Sequence, residues 1–335
     1  MSPAALPAAG PDGALARLLR ADWFGPGLVT LAAMALIGAL SPSFLSPLNL
    51  QILALAIAVN ALIAFSQMII IAIGQMNLSV GAIGGLSAIT FGGLMDAFGL
   101  PAPLAAGAAL LVGLLCGALN GLFIVWTGIS AFVITLASLS IYKGINLGVT
   151  RAEPFYGIAE GVKAFGQALV LGPLPWLAVP TILVALGLSF MLARLPIGRF
   201  VLAVGGNAHA AELSGVSVGP TVVFAHALSG MLAALAGILL VARLQIGQPT
   251  IGDDWLILSF AAPVIGGAVL AGGHVSVAAT LFGTAIVAII TQALVLFNID
   301  PFLVQIVLGA LILAAVGLNR LREARLAATR RGAAR

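Results

Sequence analysis

Charge is scarce in this chain. Of 335 residues, 14 are Lys or Arg and 10 are Asp or Glu, a charged fraction of 7% where an ordinary soluble domain has roughly 25%. That excludes a water-soluble globule. Lysine occurs only as Lys143 and Lys163, and neither context fits a phosphate-binding loop, so ATP hydrolysis by that route is excluded. The single cysteine, Cys116, excludes an intramolecular disulfide and a cysteine metal cluster and reads as a small packing residue. His209, His226 and His274 lack the paired spacing of a zinc helix. No Asp or Glu falls at the centre of an apolar run, which argues against an ion-coupled secondary transporter. A membrane-embedded enzyme likewise finds no paired acids, metal cluster or nucleophile.

What the chain has is hydrophobicity, at 61% of residues. Charge-free intervals cover residues 23–95, 97–142, 164–193, 213–242, 255–299 and 301–319. A helix crossing the hydrocarbon needs about 20 apolar residues, so these intervals hold about ten spans. They lie near 27–45, 50–73, 80–98, 102–127, 130–149, 175–193, 219–242, 256–271, 275–297 and 301–318. The runs are continuous rather than alternating, which excludes a β-barrel. The expected fold is an all-α membrane protein.

Cation placement sets the orientation. With an even number of spans both termini share a side, and that side collects Arg17, Arg20, Arg194, Arg199, Arg320, Arg322, Arg325, Arg330, Arg331 and Arg335. The other side holds Lys143, Arg151, Lys163 and Arg243. The excess puts both termini in the cytoplasm. It also accounts for the net charge of +4 without nucleic acid as a partner. Residues 1–24 read as a disordered cytoplasmic tail, 25–319 as one transmembrane domain and 320–335 as a basic cytoplasmic tail.

The 41 glycines, many within spans, point to close helix packing. The halves share a faint likeness at an offset of about 170 residues, Ile129-Ser130-Ala131-Phe132 against Ile299-Asp300-Pro301-Phe302, as an inverted repeat would give. The longest external connections are 150–175 and 245–255. Uncharged polar residues within the spans include Gln75, Asn77, Ser79, Asn120, Thr135, Ser138, Asn146 and Gln292. Amides and hydroxyls suit a neutral polyhydroxyl cargo, and they equally serve as bonds between helices.

One polar island interrupts the apolar runs on the cytoplasmic side, residues 205–218. Asn207 is a good N-cap and Gly215 a good C′ residue, which predicts a helix over 208–214. So short a helix needs something to pack on it, through Ala210 and Leu213.

The island resembles the cytoplasmic signature of the permease subunits of bacterial ABC importers for ribose and related monosaccharides. Gly205, Gly206, Asn207, Ala210, Ala211, Leu213, Ser214, Gly215 and Val216 carry the match. Ala131-Phe132-Val133-Ile134-Thr135-Leu136 with Ser140-Ile141 and Gly144 is similar to that family's fifth span. Val264-Ile265-Gly266-Gly267 with Gly272-Gly273 and Ser276 is similar to its eighth-to-ninth connection, and Gln248-Pro249 after Arg243-Leu244 also fits. Where the family usually reads Gly-Gly-Ile-Asp-Leu-Ser-Val-Gly, this chain has Gly74-Gln75-Met76-Asn77-Leu78-Ser79-Val80-Gly81, losing a negative charge.

The resemblance implies an ABC importer permease fold in the bacterial inner membrane, without catalysis of its own. It implies a second permease subunit, identical or a sister chain, a periplasmic substrate-binding protein, and a cytoplasmic ABC ATPase that binds the ATP and magnesium. This chain then needs no cofactor, and its partners besides proteins are membrane lipids. Residues 205–218 would be the segment gripped by the ATPase, with His209 and Glu212 adding polar contacts at its rim. A related class carries branched-chain amino acids, and the local motifs favour the sugar branch.

Overall fold

The computed structural model describes residues 21–300 and scattered positions between 303 and 317. The expected tails, apart from residues 21–24, and much of the tenth span lie outside the described residues.

The first apolar run becomes α1, Phe24–Leu40, and a 3-10 turn, Pro42–Leu45, leads into α2, Pro47–Ala72. Ser46 caps α2 by accepting from the Asn49 amide at 3.3 Å, and Pro47 occupies the first helical position. From Ala61 to Ala72 every residue of α2 is buried. Buried on all sides over this stretch, α2 is the central helix of the bundle. Around it come α3, Val80–Asp96, α4, Ala102–Thr127, and α5, Ala131–Thr150.

The long connection after α5 carries α6, Glu160–Gln167, and a small antiparallel hairpin of β1, Leu169–Leu171, with β2, Leu174–Pro175. The all-α reading missed this hairpin, whose turn is made by Gly172 (φ 55°) and Pro173. The chain continues through α7, Ala178–Arg194, α8, Pro196–Gly206, α9, Ala208–Leu213, α10, Val218–Leu244, α11, Trp255–Ile265, and α12, Val277–Leu296.

Five of these helices, α2, α4, α5, α10 and α12, are long and apolar enough to cross a membrane, and α7 with α8 makes a sixth if the pair is one span. That pair bends by 74° where Pro196 follows Leu195, since proline lacks the amide to continue a helix. α1, α3 and α11 are shorter. Helices therefore occupy the first nine expected spans, and among the described residues five or six of them reach the length of a crossing, so a count of about ten is not established. The eighth falls furthest short: α11 stops at Ile265, and residues 266–273 turn on Gly267, Gly272 and Gly273 at positive φ.

Packing depends on glycine where backbones touch. A Cβ on Gly117 of α4 would lie 2.1 Å from the His226 carbonyl of α10, and one on Gly230 of α10 would lie 2.1 Å from the Gly113 carbonyl. Lipid gives helices no hydrophobic reason to associate, so such close approach supplies the contact energy.

Two breaks interrupt the bundle. After α2 the chain turns at Gly74 (φ 72°), and residues 75–79 run back beside Ser66 and Gln67 before α3 begins. After α10, residues 245–254 run inward along α3, past Gly92, Gly85 and Gly81, before α11 begins at Trp255. Gly81 and Gly252 meet backbone to backbone, each with an added Cβ 2.0 Å from the other's carbonyl oxygen. Broken helices that meet inside a bundle are a common setting for transport sites.

Candidate functional site

The polar island folds as its capping residues require. The Asn207 side chain accepts from the Ala210 amide at 3.0 Å, and Ser214, rather than the expected last helical residue, is the C-cap of α9. Gly215 takes φ 84°. Its amide donates to the Glu212 carbonyl at 2.9 Å, and the Val216 amide donates to that of Ala211 at 3.0 Å, the two bonds of a Schellman motif. Ala211 is buried and anchors α9, whereas His209, Ala210, Glu212 and Leu213 are exposed. Leu213 is 77% exposed.

Behind α9 lies a junction of glycines. A Cβ on Gly205 would sit 1.8 Å from the Ala72 carbonyl at the end of α2 and 2.6 Å from the Gly273 amide. The Gly273 amide itself donates to the Ala72 carbonyl at 3.0 Å. Gly74 and Gly272 pack against the same point. The approach to α9, the first break and the α11–α12 connection are thus joined through main chain.

The first break is held by a buried polar chain. Tyr142 of α5 donates to Oδ1 of Asn120 at 3.2 Å, and Asn120 donates to the Ser79 hydroxyl at 2.9 Å. Ser79 donates to Oδ1 of Asn77 at 2.7 Å, and Asn77 donates to the Ser229 hydroxyl of α10 at 3.3 Å. Ser229 pairs with Ser66 of α2 at 3.0 Å. The Gln67 amide, oriented by its partners, exchanges bonds of 3.0 and 3.2 Å with the Asn77 backbone. Thr135 accepts from the Leu78 amide at 3.1 Å. Asn77, Ser79, Asn120 and Thr135 thus form one cluster, fully buried and turned on itself.

The other expected path residues lie apart. Gln75 accepts from Nε2 of His226 at 2.9 Å, Ser138 and Asn146 share the buried face of α5, and Asn146 donates to the Pro249 carbonyl at 3.1 Å. Gln292 of α12 donates to Asn49 and lines a cavity of about 660 Å³ with Asn60, Arg243, Asp254 and Thr291. Asp253 and Leu256 separate this cavity from a second of about 280 Å³.

Two charged groups escaped the sequence reading. Lys143, counted with the cations of the external side although it falls within the expected fifth span, is inside α5 and pairs with Asp253 of the second break, whose side chain stays half exposed. The available signal was an Asp pair just after Gly247 and Gly252, residue types that break a helix.

A family model described as branched-chain amino acid transport system, permease component, matches residues 49–316. The ribose import permease protein RbsC of Bacillus subtilis is 35% identical over 303 residues, covering 90% of this chain and 93% of the relative. The D-allose transport system permease protein AlsC of Escherichia coli is 33% identical, covering 90% and 92%. The fructose import permease protein FrcC of Rhizobium meliloti is 32% identical, covering 84% and 80%. No solved structure matches the chain.

Proposed function

Because the chain belongs to the branched-chain amino acid transport system permease family, we propose that it is the membrane subunit of an ATP-driven importer whose cargo is a monosaccharide or a related polyol. One observation carries this reading: α9 is a fully capped helix whose apolar tip, Leu213, is 77% exposed among the described residues. A structured apolar knob on a membrane bundle suits a docking partner, here a cytoplasmic ABC ATPase that binds ATP and magnesium. The sugar names of the relatives favour sugar over the amino acids of the family description.

In this reading α9 and both termini lie in the cytoplasm, and the protein sits in the bacterial inner membrane with ten spans. The broken pairs α2–α3 and α10–α11 occupy corresponding places in the two halves, which supports the inverted repeat. A second permease subunit fits against α5, where Ala137, Ser140, Gly144 and Gly148 are exposed and a Cβ on either glycine would meet no atom within 4 Å. A periplasmic binding protein would deliver the sugar from the other side. Gln75, Asn77, Ser79, Asn120, Thr135, Ser138, Asn146 and Gln292 belong to the path or its support, with Gln292 facing a cavity and Asn120 bracing the break.

Uptake of labelled D-ribose, D-allose, D-fructose, D-xylose and L-leucine, in cells carrying or lacking this chain within its complete importer, tests the proposal. Chain-dependent accumulation of a sugar, abolished by inactivating the ATPase, is the expected result. Accumulation of leucine alone, or uptake indifferent to the ATPase, would overturn it.

A further inference from the structure

Lys143 and Asp253 have no role in the reading so far. Lys143 stands inside a helix long enough to span a membrane, and Asp253 follows the Gly252 that touches Gly81 at the start of α3. The ion pair therefore ties the middle of α5 to the second break, with both side chains partly open, and a charge placed mid-helix in a span marks a functional site. A partly exposed ion pair contributes little to stability.

The ion pair is also redundant as a tether. Asn146 already bonds the Pro249 carbonyl at 3.1 Å, and Lys143 reaches the same oxygen at 3.2 Å. The Gly81–Gly252 contact fixes the second break against α3 independently. The charges thus add little that the backbone does not already secure.

What they do is face space. Lys143 and Asp253 keep 27% and 52% of their side chains exposed, and both line the cavity of about 280 Å³, with Leu78, Ala82, Leu139 and Leu256 as apolar walls. At that volume the cavity lies just under the range of about 300–1,000 Å³ typical of small-molecule pockets, which limits it to a small cargo. An ammonium donates three hydrogen bonds and a carboxylate accepts several, while a sugar hydroxyl does both. The pair sums to zero charge, and the leucines match the C–H faces of a sugar ring.

Building on the importer reading, we propose that this cavity is a contact site for a neutral monosaccharide in transit. Sugar hydroxyls there donate to the Asp253 carboxylate and accept from the Lys143 ammonium, in place of the direct ion pair. The second break, α3 and α5 together form the site.

The experiment compares uptake kinetics of the four sugars above in cells carrying the complete importer with wild-type chain, Asp253→Asn, Lys143→Gln or the exchanged pair Lys143→Asp/Asp253→Lys, at matched chain level in the membrane. Each single variant is expected to lower uptake efficiency about tenfold, as for one charge-assisted hydrogen bond lost, and the exchange is expected not to restore it. Restoration by the exchange, or unchanged efficiency in the single variants, would overturn the site. In a second arm, Leu139→Cys is labelled in whole importer by a small thiol reagent, with wild type, whose Cys116 is buried, as background. Slowing of the labelling by the transported sugar supports the site, and an unaltered rate overturns it. Wild type that carries leucine and no sugar would instead remove the importer reading on which the site rests.

Discussion

Gln75 Oε1 lies 2.9 Å from Nε2 of His226, across 151 positions of sequence. The amide oxygen is an acceptor, so Nε2 is the donor in this bond. His226 is fully buried on α10, and its Nδ1 has no partner among the described residues. Gln75 thus supplies the imidazole's side-chain hydrogen bond, from the position where the resembling family usually has glycine.

Gln75→Gly should therefore leave a buried donor unpaired, at a cost of about 1–3 kcal/mol. The apparent midpoint of thermal unfolding in detergent is expected to fall. In the double variant with His226→Leu the glycine should cost much less, because the polar group it orphans is gone. Equal effects in both backgrounds would show that the pair is not coupled.

The two outcomes of the sequence reading have different physical origins. The capping of α9 was legible because Asn207 and Gly215 act within a few residues of themselves, through bonds that any water-facing helix end needs. The apolar runs were legible because lipid demands them. The breaks were not, since residues 75–79 and 245–254 leave the helix for partners far away, Ser229 and Gly81 among them. The same distance hid the pairing of Lys143 with Asp253, which stand 110 positions apart.

Asn120 tests whether the buried chain is scaffold. It links Tyr142 to Ser79 and faces neither cavity. Asn120→Ala removes one bond from each neighbour, while Tyr142 keeps the Cys116 carbonyl at 3.0 Å and Ser79 keeps Asn77, so it should lower stability by about 1 kcal/mol per bond while the sugar concentration at half-maximal uptake stays that of wild type. A changed half-saturation at unchanged thermal midpoint would place Asn120 on the path instead.

Leu213 tests the docking role of α9. Its exposure means that Leu213→Asp should not alter the thermal midpoint of the isolated chain. Burial of a leucine at a partner contributes about 1.5–3 kcal/mol, so the ATPase should co-purify about ten- to a hundredfold less tightly. Uptake should fall with it. Normal co-purification and uptake would remove α9 as the docking element.

Gly205 and Gly206 are neighbours with opposite surroundings, and together they test the junction behind α9. A Cβ on Gly205 would stand 1.8 Å from the Ala72 carbonyl and 2.6 Å from the Gly273 amide, whereas one on Gly206 would meet nothing within 4 Å. The obstacles at Gly205 are main chain, so no side-chain rotation relieves them. Gly205→Ala must push α8 away from the end of α2 or shift the α11–α12 connection, overpacking that costs about 1–3 kcal/mol or more. Because the displaced segments lead into α9 and into the first break, the substitution should also loosen the link between ATP hydrolysis and transport. In reconstituted importer, Gly205→Ala is expected to lose most uptake per ATP hydrolysed, while Gly206→Ala keeps the wild-type ratio. Equal ratios in the two variants would mean that the main-chain contacts at Gly205 play no part in transmission.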